Sequence, residues 1–296
     1  MKIKKSGWFG ILGLTSVLSG YALYKSSSYF SNELMDAKQD KNENYRVQID
    51  DASCLQIRND EKEALNGYYF DYQAGTTMVI IHPYRYDSID MLSYVDFFKQ
   101  HLHCNFLLID LYGHGGSDGD NVKLGGHDQE DLLAWIRYLD EHYDGNLVLF
   151  GKEMGANVII NASSKLNQFD QIKAILLDGA YKNVDHFIAY QLQRKYHVCK
   201  YPFIYLMKKM ILNRYAIDID KLDSVERIKD LQIPTLFIHT KKDRFVPIKD
   251  VFDLYNNAKC EKELFILKDQ EALYELEKTE DHYLELFDLF LDRYVK

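Results

Sequence analysis

Leu147-Val148-Leu149-Phe150-Gly151-Lys152-Glu153-Met154-Gly155 is the stretch on which the fold turns. Four apolar residues run without interruption, a glycine breaks them, and a second glycine four positions on precedes a segment with helical spacing. That order reads as a buried strand, a tight turn and a helix. The same alternation repeats on both sides. Short apolar runs occur at Met78 to Ile81, Phe106 to Ile109, Ala174 to Leu177, Leu236 to Ile238 and Leu264 to Leu267. Between them lie amphipathic segments such as Leu132, Leu133, Ile136 and Leu139, and Tyr283, Leu286, Phe287 and Phe290 at the C-terminal end. Continuous apolar strands alternating with helices imply a mostly parallel sheet flanked by helices, an α/β class. Ligands then bind at the carboxyl ends of the strands, in the loops that follow these runs.

Composition sets the limits. A chain of 296 residues with 47% hydrophobic content forms one large domain. Its formal net charge of -9 argues against nucleic acid as a partner, because a phosphate backbone is bound by clustered Lys and Arg. Cys54, Cys104, Cys199 and Cys260 are too far apart in sequence for the close pairings of a zinc site or a redox dithiol, and are read as small buried hydrophobes. No metal and no cofactor is expected.

The N-terminus departs from this pattern. Lys2, Lys4 and Lys5 precede an uncharged run from Trp8 to Tyr24, which reads as a signal anchor over residues 1–25, near the lower length for spanning a bilayer. Cleavage near Gly20 and Ala22 is the alternative, which would give a secreted protein. The preceding lysines would leave the rest of the chain on the extracytoplasmic side of the cell membrane. Residues 26–45, with Ser26, Ser27 and Ser28 followed by mixed charges, read as a solvated stalk. Residues 46–296 form the domain. The membrane is therefore one expected partner, and a small molecule or protein of unspecified kind is the other.

Four strand-end loops then carry the chemistry. They are His82-Pro83-Tyr84; Asp110 through Gly113-His114-Gly115-Gly116-Ser117-Asp118-Gly119; Gly151-Lys152-Glu153-Met154-Gly155; and His239 through Asp243-Arg244-Phe245-Val246-Pro247. In this order on these strands they resemble the α/β-hydrolase superfamily, in particular its bacterial serine-aminopeptidase-like or acyl-aminoacyl-peptidase-like branch, over nearly all of residues 46–296. The resemblance implies an α/β-hydrolase fold with a helical cap at about residues 182–230, preceded here by an N-terminal hydrophobic helix. It also implies site residues. Glu153 stands where the family has its serine nucleophile, Asp243 matches the family acid, and the family histidine falls at Ala272 or a neighbour, where no histidine exists. Backbone N–H groups of Tyr84 and Met154 match the oxyanion donors, although Pro83 replaces the usual glycine after His82.

Gly115-Gly116-Ser117-Asp118-Gly119 has the spelling of a nucleophile elbow but no helix after it, so Ser117 is read as a turn residue. His282 is the single histidine after Asp243 and lies too late, inside a helical segment. His82, His114 and His239 are read as structural hydrogen-bonding residues.

For Glu153 two readings stand. Its carboxylate accepts the N–H groups of the old oxyanion site, which would lower its pKa; or it shares a partly dry pocket with Asp243, so that one of the two holds its proton more tightly, unless Lys152 or Arg85 pairs with it. The cap's Tyr190, Tyr196, Tyr201, Phe203, Tyr205 and Met207, beside Lys195, Lys200 and Lys209, read as a lid with lysines in solvent.

The function expected from these substitutions is that of a membrane-anchored, catalytically inactive hydrolase relative that binds a ligand or partner. The alternative is an esterase or peptidase with an unorthodox site.

Overall fold

The computed structural model of the protein describes residues 5–36, 49, 51–99, 102–197, 200–267 and 281–295. Eight strands form one sheet: β1 (Ser53–Arg58), β2 (Ala64–Phe70), β3 (Thr76–Ile81), β4 (Asn105–Ile109), β5 (Asn146–Lys152), β6 (Ile172–Asp178), β7 (Thr235–Thr240) and β8 (Lys262–Leu267). Their order is β1-β2-β4-β3-β5-β6-β7-β8. From β4 to β8 every neighbouring pair is parallel; β1 and β2 are antiparallel to their neighbours. Each of the six expected strands is present in the parallel part.

The helices are α1 (Lys5–Met35), α2 (Leu92–Phe98), α3 (Asp128–His142), α4 (Met154–Asn161), α5 (Ser163–Leu166), α6 (Val184–Tyr196), α7 (Phe203–Tyr215), α8 (Ser224–Arg227), α9 (Ile248–Asn257) and α10 (Asp281–Tyr294). The parallel strands carry uninterrupted apolar runs through their middles because both faces are covered there. Val79, Ile81, Leu107 and Ile109 pack with Trp135 of α3 and Val158 of α4 on one side. Met78, Ile80, Phe106 and Leu108 pack with Tyr94 and Phe98 of α2 and Phe287 and Phe290 of α10 on the other. Alternation along a strand sends successive side chains to opposite faces, and both faces are dry here.

A third cluster lies over the strand ends, where Phe187 and Ile188 of α6 and Phe203, Met207 and Ile211 of α7 enclose Met35 of α1. Helices α6, α7 and α8 fall within residues 182–230.

The N-terminal reading requires correction. Among the described residues no helix is long and apolar enough to cross a membrane. The physical reason is composition: Gly10, Gly13, Thr15, Ser16, Ser19 and Gly20 dilute the apolar side chains of α1. The helix also runs straight on through the serine-rich stretch to Met35, where Ser27, Ser31 and Met35 are buried. Small residues there let α1 lie close against the cap. Arg214 of α7 bonds to Ser28 and Asn32, Phe30 meets Phe203 and Tyr196 edge-on, and the Val122 N–H donates to the Met35 carbonyl at 3.0 Å. Residues 26–35 are therefore helical and packed on the domain; residues 37–45 of the expected stalk lie outside the described residues. Cys104 and Cys260 are buried as expected, whereas Cys54 is exposed.

Candidate active site

The turn between β5 and α4 is a sharp one. A side-chain carbon on Gly155 would fall 2.3 Å from the Ile81 carbonyl oxygen, and one on Gly151 would fall 2.5 Å from the Ala156 nitrogen. Both glycines are required because α4 starts directly against the end of β3 and folds back on β5. Between them the backbone of Glu153 takes φ 48° and ψ -108°, a conformation that side-chain-bearing residues rarely hold and that costs on the order of 1–3 kcal/mol. The strain lifts the Glu153 side chain clear of the sheet. Its N–H is anchored by the Asp178 carbonyl at 2.7 Å.

Glu153 keeps part of its surface toward a cavity of about 780 Å³. Tyr84 and Arg85 after β3 and Phe245 after β7 line it on the sheet side, while Phe30, Glu33 and Leu34 of α1 and residues of α6 and α7 form the roof. The carboxyl is reachable from the cavity, yet protein surrounds its other sides. Desolvation dominates: it pushes the Glu153 carboxyl up to about 8, against a lowering by the Lys152 ammonium and with further raising by Asp243 and Asp178. Of the two sequence readings, the upward direction contradicts a carboxylate stabilised by N–H donors and matches a proton held tightly beside Asp243. Among the described residues no hydrogen bond to the Glu153 carboxyl is present.

Lys152 pairs elsewhere. Its ammonium lies 2.6 Å from Asp178 Oδ2 at the end of β6, with both groups buried. Even so, burial pushes the Asp178 carboxyl up to about 6, the lysine pulling it down and Asp243 raising it. Asp243 Oδ1 accepts the N–H groups of Phe245 at 2.6 Å and Val246 at 2.9 Å. Its Oδ2 and the Lys152 ammonium both face Gly179, 3.7 Å and 3.9 Å from where a side-chain carbon would stand. Glu153, Lys152, Asp178 and Asp243 thus form one cluster of ionisable groups at the ends of β5, β6 and β7.

The remaining expected residues distribute as follows. Met154 opens α4, so its N–H is one of the unbonded donors of a helix start, beside Glu153. Tyr84 reaches the other way, its hydroxyl donating to the Leu34 carbonyl at 2.7 Å, and burial pushes that phenol up to about 12. Ala272 lies outside the described residues, and so does the side chain of His282, which falls in the first turn of α10.

Ser117 is locked in a turn: its hydroxyl donates to the Asp110 carbonyl at 2.7 Å and accepts the Asn66 N–H at 2.9 Å. His82 is fully buried, donating to the Pro83 carbonyl at 2.8 Å and accepting the Leu111 N–H at 3.2 Å, and burial lowers its pKa. His239 Nε2 lies 3.1 Å from the Val246 carbonyl. Sequence reasoning missed Asp178, whose signal was an acid at the end of a buried strand, and missed the α1 wall. The signal that could have marked that wall is Leu23, Ser27, Phe30, Ser31 and Leu34, which fall on one face of a helix.

No family model matches the chain. It is 24% identical over 232 residues to the uncharacterized protein YqkD of Bacillus subtilis (strain 168), covering 77% of this chain and 75% of that one. In structure it resembles the Pyrococcus furiosus esterase Pf2001, with a TM-score of 0.68 at 19% identity over 83% of this chain and 92% of that one. It also resembles the α/β hydrolase GrgF from Penicillium sp. sh18, with a TM-score of 0.63 at 18% identity over 82% and 99% of the two chains. The fold is that of the α/β-hydrolases.

These findings overturn the expectation of a membrane-anchored, inactive binder. No spanning helix exists among the described residues, the solved structures the chain resembles include esterases, and the elbow opens onto a roomy cavity. The alternative, a hydrolase with an unorthodox site, is the better-backed reading.

Proposed function

We propose that the protein hydrolyses carboxylic esters with an apolar chain, using Glu153 and Asp243 as an acid and base pair acting on water. One observation carries this reading: a strained elbow holds a carboxyl at a cavity wall, where the surroundings keep it protonated up to about pH 8. A protonated carboxyl is a poor nucleophile and a good proton donor. The apolar cavity wall suits an acyl or alkyl chain.

In the reaction, Asp243 takes a proton from a water whose oxygen attacks the ester carbonyl carbon. The carbonyl electron pair moves onto oxygen, which meets the backbone N–H groups of Met154 and Tyr84. As the carbon–oxygen ester bond breaks, Glu153 gives its proton to the departing alkoxide. The products are a carboxylic acid and an alcohol, and the proton on Asp243 returns to Glu153 through solvent. No histidine near Ala272 is needed, because the acid and base roles lie on two separate carboxyls whose environments differ. Peptide amides are the second class, supported by the Asp243 to Pro247 motif shared with the serine-aminopeptidase-like branch; their leaving amine would take the same Glu153 proton.

The test is turnover of ethyl butyrate, whose leaving alkoxide needs a proton, by the purified full chain, read as acid released, with a peptide p-nitroanilide in parallel. Hydrolysis above the buffer rate is expected, falling about 100-fold or more in Glu153→Gln and in Asp243→Asn. Activity that survives Glu153→Gln, or no turnover of either substrate, overturns the proposal.

A further inference from the structure

The cavity is not uniform along its length. Phe187, Ile188 and Leu192 of α6 are buried and line it with Met207 of α7. Less than one turn past Leu192 on the same helix, Arg194 and Lys195 are exposed and still line it. The rise of a helix separates Ile188 from Lys195 by about 10 Å. Arg85 joins them on the lining from the loop after β3.

Two acids stand on the same lining besides Glu153, and both are engaged. Glu33 lies 3.5 Å from Arg85, and Asp90 accepts the Asp87 N–H at 3.1 Å. Arg194 donates to the Arg244 carbonyl, and the Lys195 ammonium lies 5.1 Å above the Tyr196 ring, leaving each further donors for a ligand. Basic residues in a helix's last turn favour its dipole, which accounts for their presence on α6. It does not account for their place on the cavity lining in a chain of net charge -9.

Building on the hydrolase reading, we propose that the cavity selects a single-chain anionic amphiphile, with its apolar chain against α6 and α7 and its carboxylate or phosphate held by Arg194 and Lys195. The ester group would then lie inward, toward Glu153, and the charged end outward. Arg and Lys at a partly screened rim give charge-assisted hydrogen bonds to such an oxyanion.

The inference is tested by binding, independently of turnover. Calorimetric titration with decyl phosphate, decyl maltoside and decyltrimethylammonium at monomer concentrations in low salt should show decyl phosphate binding about tenfold tighter than the neutral ligand. Arg194→Gln with Lys195→Gln, at two exposed positions, should bring that preference to within about twofold, and raised salt should erode it in the wild type. Equal affinity for all three ligands, tighter binding of the cation, or a preference that survives the double substitution overturns the inference. Displacement of decyl phosphate by equimolar inorganic phosphate also overturns it, since the site would then serve free phosphate. A protein that binds decyl phosphate as described but hydrolyses no ester defeats the function proposed above and leaves the selectivity standing.

Discussion

Two strand-end loops of this protein share a Gly-x-x-x-Gly spacing, and they do opposite things with a buried acid. After β4, Asp110 sits under Gly115-Gly116-Ser117-Asp118-Gly119; after β5, Glu153 sits within Gly151-Lys152-Glu153-Met154-Gly155. Asp110 is fully buried and closed in by donors: the Ser88 N–H at 2.8 Å, the Gly116 N–H at 2.9 Å and the Asn66 amide at 3.2 Å. Desolvation still leaves its pKa raised, but Ser88, His82 and the Gly116 N–H pull against that rise. Glu153 meets the same desolvation with no donor on its carboxyl among the described residues, and it opens on a cavity. A satisfied buried acid builds a loop. An unsatisfied one at a cavity wall is available for chemistry, and its cost is met by the packing of the elbow.

The comparison breaks most visibly on removal of Asp110. Asp110→Ala leaves three buried donors without their acceptor, and a loss of about 3 kcal/mol or more in denaturant stability is expected. A loss below about 1 kcal/mol would mean that the Asp110 loop is not held by its acid.

Glu153→Gln should act in the other direction. The folded-state pKa of Glu153 is raised to about 8 from a usual value near 4.5, so the folded protein holds the proton more tightly and wild-type stability declines as pH rises through that window. Gln carries no such charge. The variant should match the wild type near pH 4.5, gain on it steadily toward pH 8, and level off above, with a gain on the order of 3 kcal/mol after allowance for water in the cavity. Urea unfolding at pH 5, 7 and 9 reads this. A Gln variant that is less stable than wild type at pH 9 would mean the carboxylate is stabilised by donors after all.

The smallest effect belongs to Ser117→Ala, which removes one hydroxyl that bridges Asp110 and Asn66. A stability loss of about 1 kcal/mol with unchanged ester turnover is expected. Loss of turnover would transfer the chemistry to the wrong loop.

The same contrast explains what the sequence could and could not reveal. The six parallel strands were legible because each carries a short uninterrupted apolar run, and the elbow was legible because its two glycines are demanded by contacts with Ile81 and Ala156. β1 and β2 were not, because Ser53-Cys54-Leu55-Gln56-Ile57-Arg58 has an exposed edge and β2 mixes Asn66 and Gly67 with aromatics. The position of Glu153 was legible but the state of its proton was not. That state depends on Lys152 turning to Asp178, a pairing across β5 and β6 that no local pattern specifies. The role of residues 26–35 was hidden for a related reason. A run of serines reads as solvent-loving until a partner helix covers it, and here α7 does so through Arg214, Phe203 and the small side chains of α1.

The central claim is that the Glu153 carboxyl stays protonated at neutral pH while facing the cavity. Difference infrared spectroscopy between the wild type and Glu153→Gln, recorded across pH 5 to 10, reads that proton directly through the carbonyl stretch of the neutral acid. The expected result is a neutral-acid band present at pH 7 and lost with a midpoint near 8, together with a fall of ester turnover over the same range. A Glu153 signal already that of a carboxylate at pH 6 would contradict the account.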